Sequence, residues 1–259
     1  MRGDVMRSFL FAALGTLFTF MMTALGAAAV FLFGNHMNER AQRMTMGFAG
    51  GVMSAAAVFS LLAPAAEQAN AMGMAAWLVC AAGVLLGAGL VALMEFVLGR
   101  HRIIRCAGGT KRRAATVAAA VTLHNIPEGV AVGLAFALAA QAGGGALAAA
   151  AALALGVGIQ NIPEGAAISL PLRQSGVSRG RSFLWGALSG VVEPLAGVAA
   201  VLMTGAMQTL LPGMMAFAAG AMLLVTFSEM IPIAGGGRDG AAAALVGYVL
   251  MMALDMGLG

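Results

Sequence analysis

His124-Asn125-Ile126-Pro127-Glu128-Gly129 and Gln160-Asn161-Ile162-Pro163-Glu164-Gly165 are one hexapeptide written twice, each set inside a long apolar run. On a helix, residues three or four apart share a face. His124 and Glu128 therefore point the same way, as do Gln160 and Glu164, with Asn125 and Asn161 beside them. That face offers only nitrogen and oxygen donors. Pro127 and Pro163 lack an N–H and clash with the carbonyl four residues back, which releases the backbone oxygens of Leu123 and Ile159. A kinked, polar, carbonyl-exposing turn is expected at each copy.

The rest of the composition says what medium this turn sits in. The 259 residues are 61% hydrophobic and 9% charged, with a mean hydropathy of +0.94, against roughly 25% charged in soluble globular chains. The chain reads as an all-α integral membrane protein. Ala, Gly and Met are abundant, and small residues let membrane helices approach closely. The net charge of +4 and pI near 10.0 do not point to nucleic acid, because the basic residues fall in short stretches between apolar runs, where they orient a membrane protein. Cys80 lies mid-span and Cys106 in a basic loop, a spacing that reads as two reduced thiols rather than a disulfide. The first apolar stretch, from about Ser8 to Phe33, is long enough to stay in the bilayer instead of serving as a signal peptide.

A span needs about 20 residues, and eight candidates fit, at roughly 8–33, 47–68, 74–98, 114–140, 145–170, 182–206, 213–233 and 240–258. They are read as one transmembrane domain covering 1–259. Twelve of the fourteen Lys and Arg fall in the 34–46, 99–113, 171–181 and 234–239 connections, whereas Arg2 and Arg7 lie near the N-terminus. The positive-inside rule puts those four connections in the cytoplasm and both termini outside, as in a multi-pass protein of the plasma (inner) membrane. The fourth and fifth spans then run in opposite directions with the same motif, whose centres lie about 15–18 Å from their cytoplasmic ends at 1.5 Å per residue. That depth reaches the middle of a hydrocarbon core about 30 Å thick.

A weaker echo links the second and seventh spans: Phe48-Ala49-Gly50-Gly51-Val52-Met53 matches Phe217-Ala218-Ala219-Gly220-Ala221-Met222, with Pro64 and Pro232 further on. Spans 1–3 and 6–8 thus read as inverted units around the 4/5 pair, a 3+2+3 arrangement. Inverted repeats with Pro-interrupted helices at their axis point to a transporter site at the midplane.

Within the spans lie Glu95, Glu128, Glu164, Glu193 and Glu229, and Lys and Arg occur only at span ends. A charge at mid-bilayer costs about 2.5–3.5 kcal/mol even on insertion scales. With no internal Lys or Arg, protons or a bound metal ion are what remain to neutralise these acids. Glu193, followed by Pro194 in an apolar helix, can extend the site of the two hexapeptides. Glu95 and Glu229, near the cytoplasmic ends, read either as snorkelling end residues or as pathway acids, while Glu67 and Asp255 read as solvated residues near the outer ends. Met53 is a packing residue or a soft thioether donor. One imidazole, two or three carboxylates and three amides suit a borderline divalent metal held exchangeably, and the absence of thiolates argues against a permanent structural zinc.

Paired motifs of this kind on the fourth and fifth of eight spans resemble the ZIP (Zrt/Irt-like) family of divalent metal transporters. The NIPEG pair with Gln160 is most similar to the prokaryotic branch that includes GufA-like members. The resemblance implies import of Zn²⁺, and of related ions such as cadmium, iron and manganese, toward the cytoplasm through a binuclear centre. It carries His124, Glu128, Gln160, Asn161 and Glu164 to one metal position and Asn125, Glu128, Asn161, Glu164 and Glu193 to the adjacent one. Met53 falls where some members have a methionine ligand. Many members have His at the position of Gln160, and some have Asp at that of Asn161, so this site carries one imidazole fewer and less charge. Many also have a His-rich loop where the 99–113 stretch offers only His101 and Cys106 among six basic residues.

The metal is transported substrate rather than cofactor; the remaining partners are the bilayer and, as an open assembly, a homodimer. Two rival readings stand beside transport of metal: a proton-coupled permease for another solute, since buried Glu and His also build proton relays, and a membrane metallohydrolase, disfavoured by the lack of HExxH. No Walker A motif occurs, which excludes ATP-driven pumping by this chain.

Overall fold

The computed structural model describes residues 2–32, 38–100, 109–142, 145–202 and 204–258, and every regular element among them is a helix. Helix α1 is Arg2–Ala27, followed after one residue by a short piece, Ala29–Leu32. Helix α2 is Glu39–Ala71, with a π-helical stretch at Ala57–Leu62; α3 is Ala76–Arg100, α4 is Gly109–Ala142 and α5 is Gly145–Gln174. Helix α6 is Arg179–Leu202, broken by a turn at Gly190 and Val191. Helix α7 is Thr204–Val225, running on through a π-helical stretch, Thr226–Met230, into Ile231–Ala234, and α8 is Arg238–Leu258. An all-helical answer is what a bilayer demands, because backbone polar groups in hydrocarbon must be satisfied within the segment.

Seven of the described helices are long and apolar enough to cross a membrane. The other, α4, is 34 residues long, carries Lys111, Arg112 and Arg113 at its start, and is apolar over Asn125–Ala140. The chain is a multi-pass membrane protein.

Two expectations about boundaries are corrected. The seventh helix begins at Thr204 rather than 213, with Pro212 inside it; a membrane helix tolerates an internal Pro where neighbours satisfy the freed backbone. Lys111–Arg113, Arg173 and the Arg179/Arg181 pair lie in helical turns rather than in loops, because a membrane helix can continue past the hydrocarbon edge. The helices also pass through Pro127, Pro163 and Pro171 without ending, so each polar turn is embedded in continuous helix.

Packing groups the helices into two sets that are joined where α4 lies against α7. Helix α1 lies along α5, and α4 along α6, with α4 and α5 also touching each other and α1; α2 lies along α8, and α3 along α7. The tightest contacts are backbone on backbone. A β-carbon on Gly51 would strike the Ala244 carbonyl of α8, and one on Gly247 the Phe48 carbonyl of α2. In the other pair, Gly220 meets the Val84 carbonyl of α3 and Gly87 the Phe217 carbonyl of α7. Where hydrophobicity gives no preference for helix over lipid, such close approach is the means of association. Across the α2/α7 contact lies an apolar cluster in which Met53 and Met222 are both fully buried, with Met215, Met230, Val130 and Ala167.

At one end, Asn38 caps α2 by accepting from the Ala41 N–H at 2.7 Å, and Arg40 pairs with Asp239 at 3.1 Å. The starts of α2 and α8 are thereby held side by side.

Candidate metal centre

Gly129 and Gly165, the last residues of the two hexapeptides, set the geometry. A β-carbon on Gly129 would collide with the backbone of Glu193, and one on Gly165 with the carbonyl of Thr23. Helix α4 thus presses its polar turn against the break in α6, while α5 presses the same turn against α1.

The side chains that converge are all withdrawn from solvent. Asn125, Gln160, Asn161, Glu164 and Glu193 are fully buried and Glu128 is 1% exposed. Gln160 Nε2 donates to Glu128 Oε1, so one amide ties the two hexapeptides together. Asn125 Nδ2 donates at 3.2 Å to the carbonyl of Ser189, an oxygen next to the α6 break. Asn161 Nδ2 donates to both carboxylate oxygens of Glu193, at 3.0 Å each, and to the Thr19 carbonyl at 3.2 Å.

These bonds orient the amides, since only an NH₂ can donate to a carboxylate or a carbonyl. The opposite ends, Asn125 Oδ1, Gln160 Oε1 and Asn161 Oδ1, are buried and have no hydrogen-bond partner among the described residues. A buried polar atom left without a partner costs about 1–3 kcal/mol. Three amide oxygens in that condition, on the same buried turns as Glu128 and Glu164 and hydrogen-bonded through Asn161 to Glu193, are hard oxygen donors whose chemistry fits a divalent cation. Among the described residues no three His, Cys, Asp or Glu side chains form a ready metal cluster by themselves.

Not every expected donor falls in the described part. The backbone of His124 continues α4 one residue before Asn125, but its side chain is outside the described residues, as are the Glu95 side chain and residues His101 and Cys106. Met53 sits in the apolar cluster described above. Glu229 lies in the π-helical stretch of α7. Asp255, expected in solvent, is half-buried and corrects that reading: the Ser60 hydroxyl lies 2.7 and 2.9 Å from its two oxygens. Glu67 is exposed as expected.

Sequence reasoning passed over Thr19 and Thr23 of α1. The Thr23 hydroxyl donates to Glu193 Oε1 at 3.2 Å, and the Thr19 carbonyl accepts from Asn161. With Thr16 they recur at helical spacing and are fully buried, a polar stripe in an otherwise apolar helix that was visible in the sequence. A cavity of about 340 Å³ touches α4 at Ala131 and Leu134, one to two turns beyond Glu128, and is walled by Ser60, Pro64 and Gln68 of α2.

Residues 99–255 match the model of the ZIP zinc transporter family. The chain belongs to the ZIP family. Among curated ZIP proteins it is 34% identical to "Zinc transporter ZIP11" of Homo sapiens, over 96% of this chain and 97% of that one. It is 37% identical to "Zinc transporter GufA" of Myxococcus xanthus, over 92% and 94%, and 35% identical to "Zinc transporter ZIPB" of Bordetella bronchiseptica, over 96% and 82%. ZIP membership places the chain among transporters rather than enzymes, and the GufA match agrees with the bacterial branch that the NIPEG pair resembles.

Proposed function

We propose that this ZIP protein carries divalent transition-metal cations, zinc foremost and cadmium, iron or manganese as further candidates, across the plasma (inner) membrane into the cytoplasm. The observation that carries this reading is the set of three buried amide oxygens without hydrogen-bond partners among the described residues, borne with Glu128 and Glu164 on membrane-embedded turns and linked through Asn161 to Glu193. Two adjacent cation positions are proposed. His124, Glu128, Gln160, Asn161 and Glu164 serve one, and Asn125, Glu128, Asn161, Glu164 and Glu193 the other, with the carboxylates bridging. Met53 is held as a thioether donor that enters as the cation arrives or leaves. Metal here is cargo: amide oxygens and carboxylates with no thiolate bind exchangeably.

The same proposal includes eight spans in one domain covering 1–259, with α4 the eighth. At about 1.5 Å per residue its 34 residues exceed a hydrocarbon core of about 30 Å. Basic residues gather at the starts of α2, α4, α6 and α8 and the ends of α3 and α5, one side of an alternating bundle, which favours a cytoplasmic location for that side and both termini outside. The cavity beyond Glu128 opens toward the opposite side and serves as the outer approach. An inverted repeat relating 1–3 to 6–8 is supported by the matched α2/α8 and α7/α3 glycine contacts, and a homodimer is a candidate assembly.

The test is uptake of zinc by proteoliposomes containing the purified protein. Wild type accumulates zinc down its gradient, and Glu128→Ala and Glu164→Ala each abolish accumulation while still folding, because each removes a bridging ligand and a buried acid costly to the fold. Near-normal uptake by either variant at normal reconstitution refutes the assignment.

A further inference from the structure

Gly129 packs on the backbone of Glu193, and Gly165, at the same place in the second hexapeptide, packs on the backbone of Thr23. Thr23 on α1 and Glu193 on α6 therefore occupy matching positions relative to the two copies of the motif. Their side chains meet: Thr23 Oγ1 donates to Glu193 Oε1 at 3.2 Å. The alternative acceptor for that single proton, the Thr19 carbonyl at 3.4 Å, is farther away and uncharged, so the carboxylate takes it. Room for the threonine is built into the break of α6, where a β-carbon on Gly190 would stand 2.9–3.0 Å from Thr23 side-chain atoms.

We propose that Thr23 is a positioning residue of the metal centre: its hydroxyl fixes the Glu193 carboxylate against Asn161 Nδ2, and thereby keeps Asn161 Oδ1 turned toward the cation. Glu193 is bridged on both oxygens by the Asn161 amide, and the second proton of that amide goes to the Thr19 carbonyl. Asn161 thus spends both donors holding α1 and α6, which leaves its carbonyl oxygen as the buried acceptor that metal satisfies. Without the Thr23 hydroxyl the carboxylate can turn about its own bond, release Asn161, and let the amide rotate its oxygen away. Helix α1 is then part of the site even though it supplies no ligand. The matching position on α6 holds an acid and that on α1 an alcohol, which makes the two halves of the centre chemically unequal.

The inference rests on the transport reading above, and the experiment separates the two. Initial rates of zinc uptake into proteoliposomes are measured against zinc concentration for wild type, Thr23→Val, which keeps the shape without the hydroxyl, and Thr23→Ser, which keeps the hydroxyl. Glu193→Gln and the double variant Thr23→Val/Glu193→Gln complete a cycle. Removing a group that orients a metal ligand typically weakens metal affinity 10–100-fold, so Thr23→Val should raise KM by about tenfold or more while kcat changes far less. Thr23→Ser should stay within about threefold of wild type, and the double variant should be no worse than Glu193→Gln, since Thr23 acts through that carboxylate. Thr23→Ala gives the same reading if valine is not accommodated. Wild-type KM in Thr23→Val, equal loss in Val and Ser, or effects that multiply in the double variant overturn this inference alone. Wild-type vesicles that take up no zinc overturn the transport reading and this inference with it.

Discussion

Gly129→Ala adds one methyl group where α4 lies on α6. A β-carbon at position 129 would stand 2.6 Å from Glu193 Cα and 2.9 Å from its carbonyl carbon, where ordinary contact begins at 3.4 Å. The obstruction is backbone, with the Glu193 carbonyl oxygen nearest of all, and it cannot rotate away, so the helices must part by at least about 0.8 Å, the difference between contact and the Cα separation. Overpacking of this kind costs about 1–3 kcal/mol. The functional cost is larger, because Asn125 and Glu128 ride on the displaced turn and a shift of about 1 Å at a reacting or binding centre can cost roughly 10²-fold. Gly89→Ala is the matched control: nothing lies within 4 Å of its would-be β-carbon, and the exchange in a helix should be neutral or stabilising by about 0.5–1 kcal/mol. Melting in detergent and zinc uptake in proteoliposomes, measured on both variants, give the readout. The expected pattern is a lower melting point with uptake reduced about 10–100-fold for Gly129→Ala and wild-type behaviour for Gly89→Ala. If Gly129→Ala melts and transports like wild type, the close α4/α6 contact does not position the centre.

Gln160→His exchanges an amide for a stronger borderline ligand and should tighten zinc binding while slowing release; calorimetry showing equal or weaker binding tells against Gln160 as a ligand. Metal must displace protons from the carboxylates it binds, so zinc affinity should fall as pH is lowered and protons should appear on zinc addition. Replacing Glu128 and Glu164 together by Gln should remove that release, and a buffer-corrected titration in which it persists would exclude them as the competing groups. Ser60→Ala takes the hydroxyl from half-buried Asp255 and should lower stability by about 1 kcal/mol; an unchanged melting point would show the pair contributes nothing. Asp239→Asn breaks a surface ion pair with Arg40, a residue whose side chain is 71% exposed, and should shift melting by no more than a pair worth about 0–1 kcal/mol allows.

The two hexapeptides were readable because their chemistry contradicts their surroundings: carboxylates, amides and a proline within apolar helix have few structural explanations. Glu193 was legible for the same reason, as an acid followed by Pro194. Thr23 stood in a visible threonine stripe, but its role was not legible, because threonine is ordinary in a membrane helix, where its hydroxyl can return to its own backbone as Thr16 does to Ala12 at 2.7 Å. Its significance depends on which neighbour α1 meets, a tertiary fact. The start of α7 was missed because Pro212 reads as a terminator, and Asp255 because nearness to a chain end suggests solvent. Pro64 and Pro232 hinted at irregularity in α2 and α7, yet the π-helical stretches at Ala57–Leu62 and Thr226–Met230 come from backbone pairing that no local pattern specifies.

The glycine contacts of α2 with α8 and of α3 with α7 determine where the molecule can yield. Backbones touching through Gly51, Gly247, Gly220 and Gly87 leave no side chains to slide or repack, so each pair behaves as a stiff strut. The slack lies beside the prolines. A crevice of about 750 Å³ borders Ile162 and Pro163, and another of about 580 Å³ borders Ile126 and Pro127, both lined by apolar side chains that can slip past one another without breaking a hydrogen bond. The two seams, next to the candidate metal residues, are therefore where the packing can yield, while the glycine-paired helices offer no side chains to rearrange.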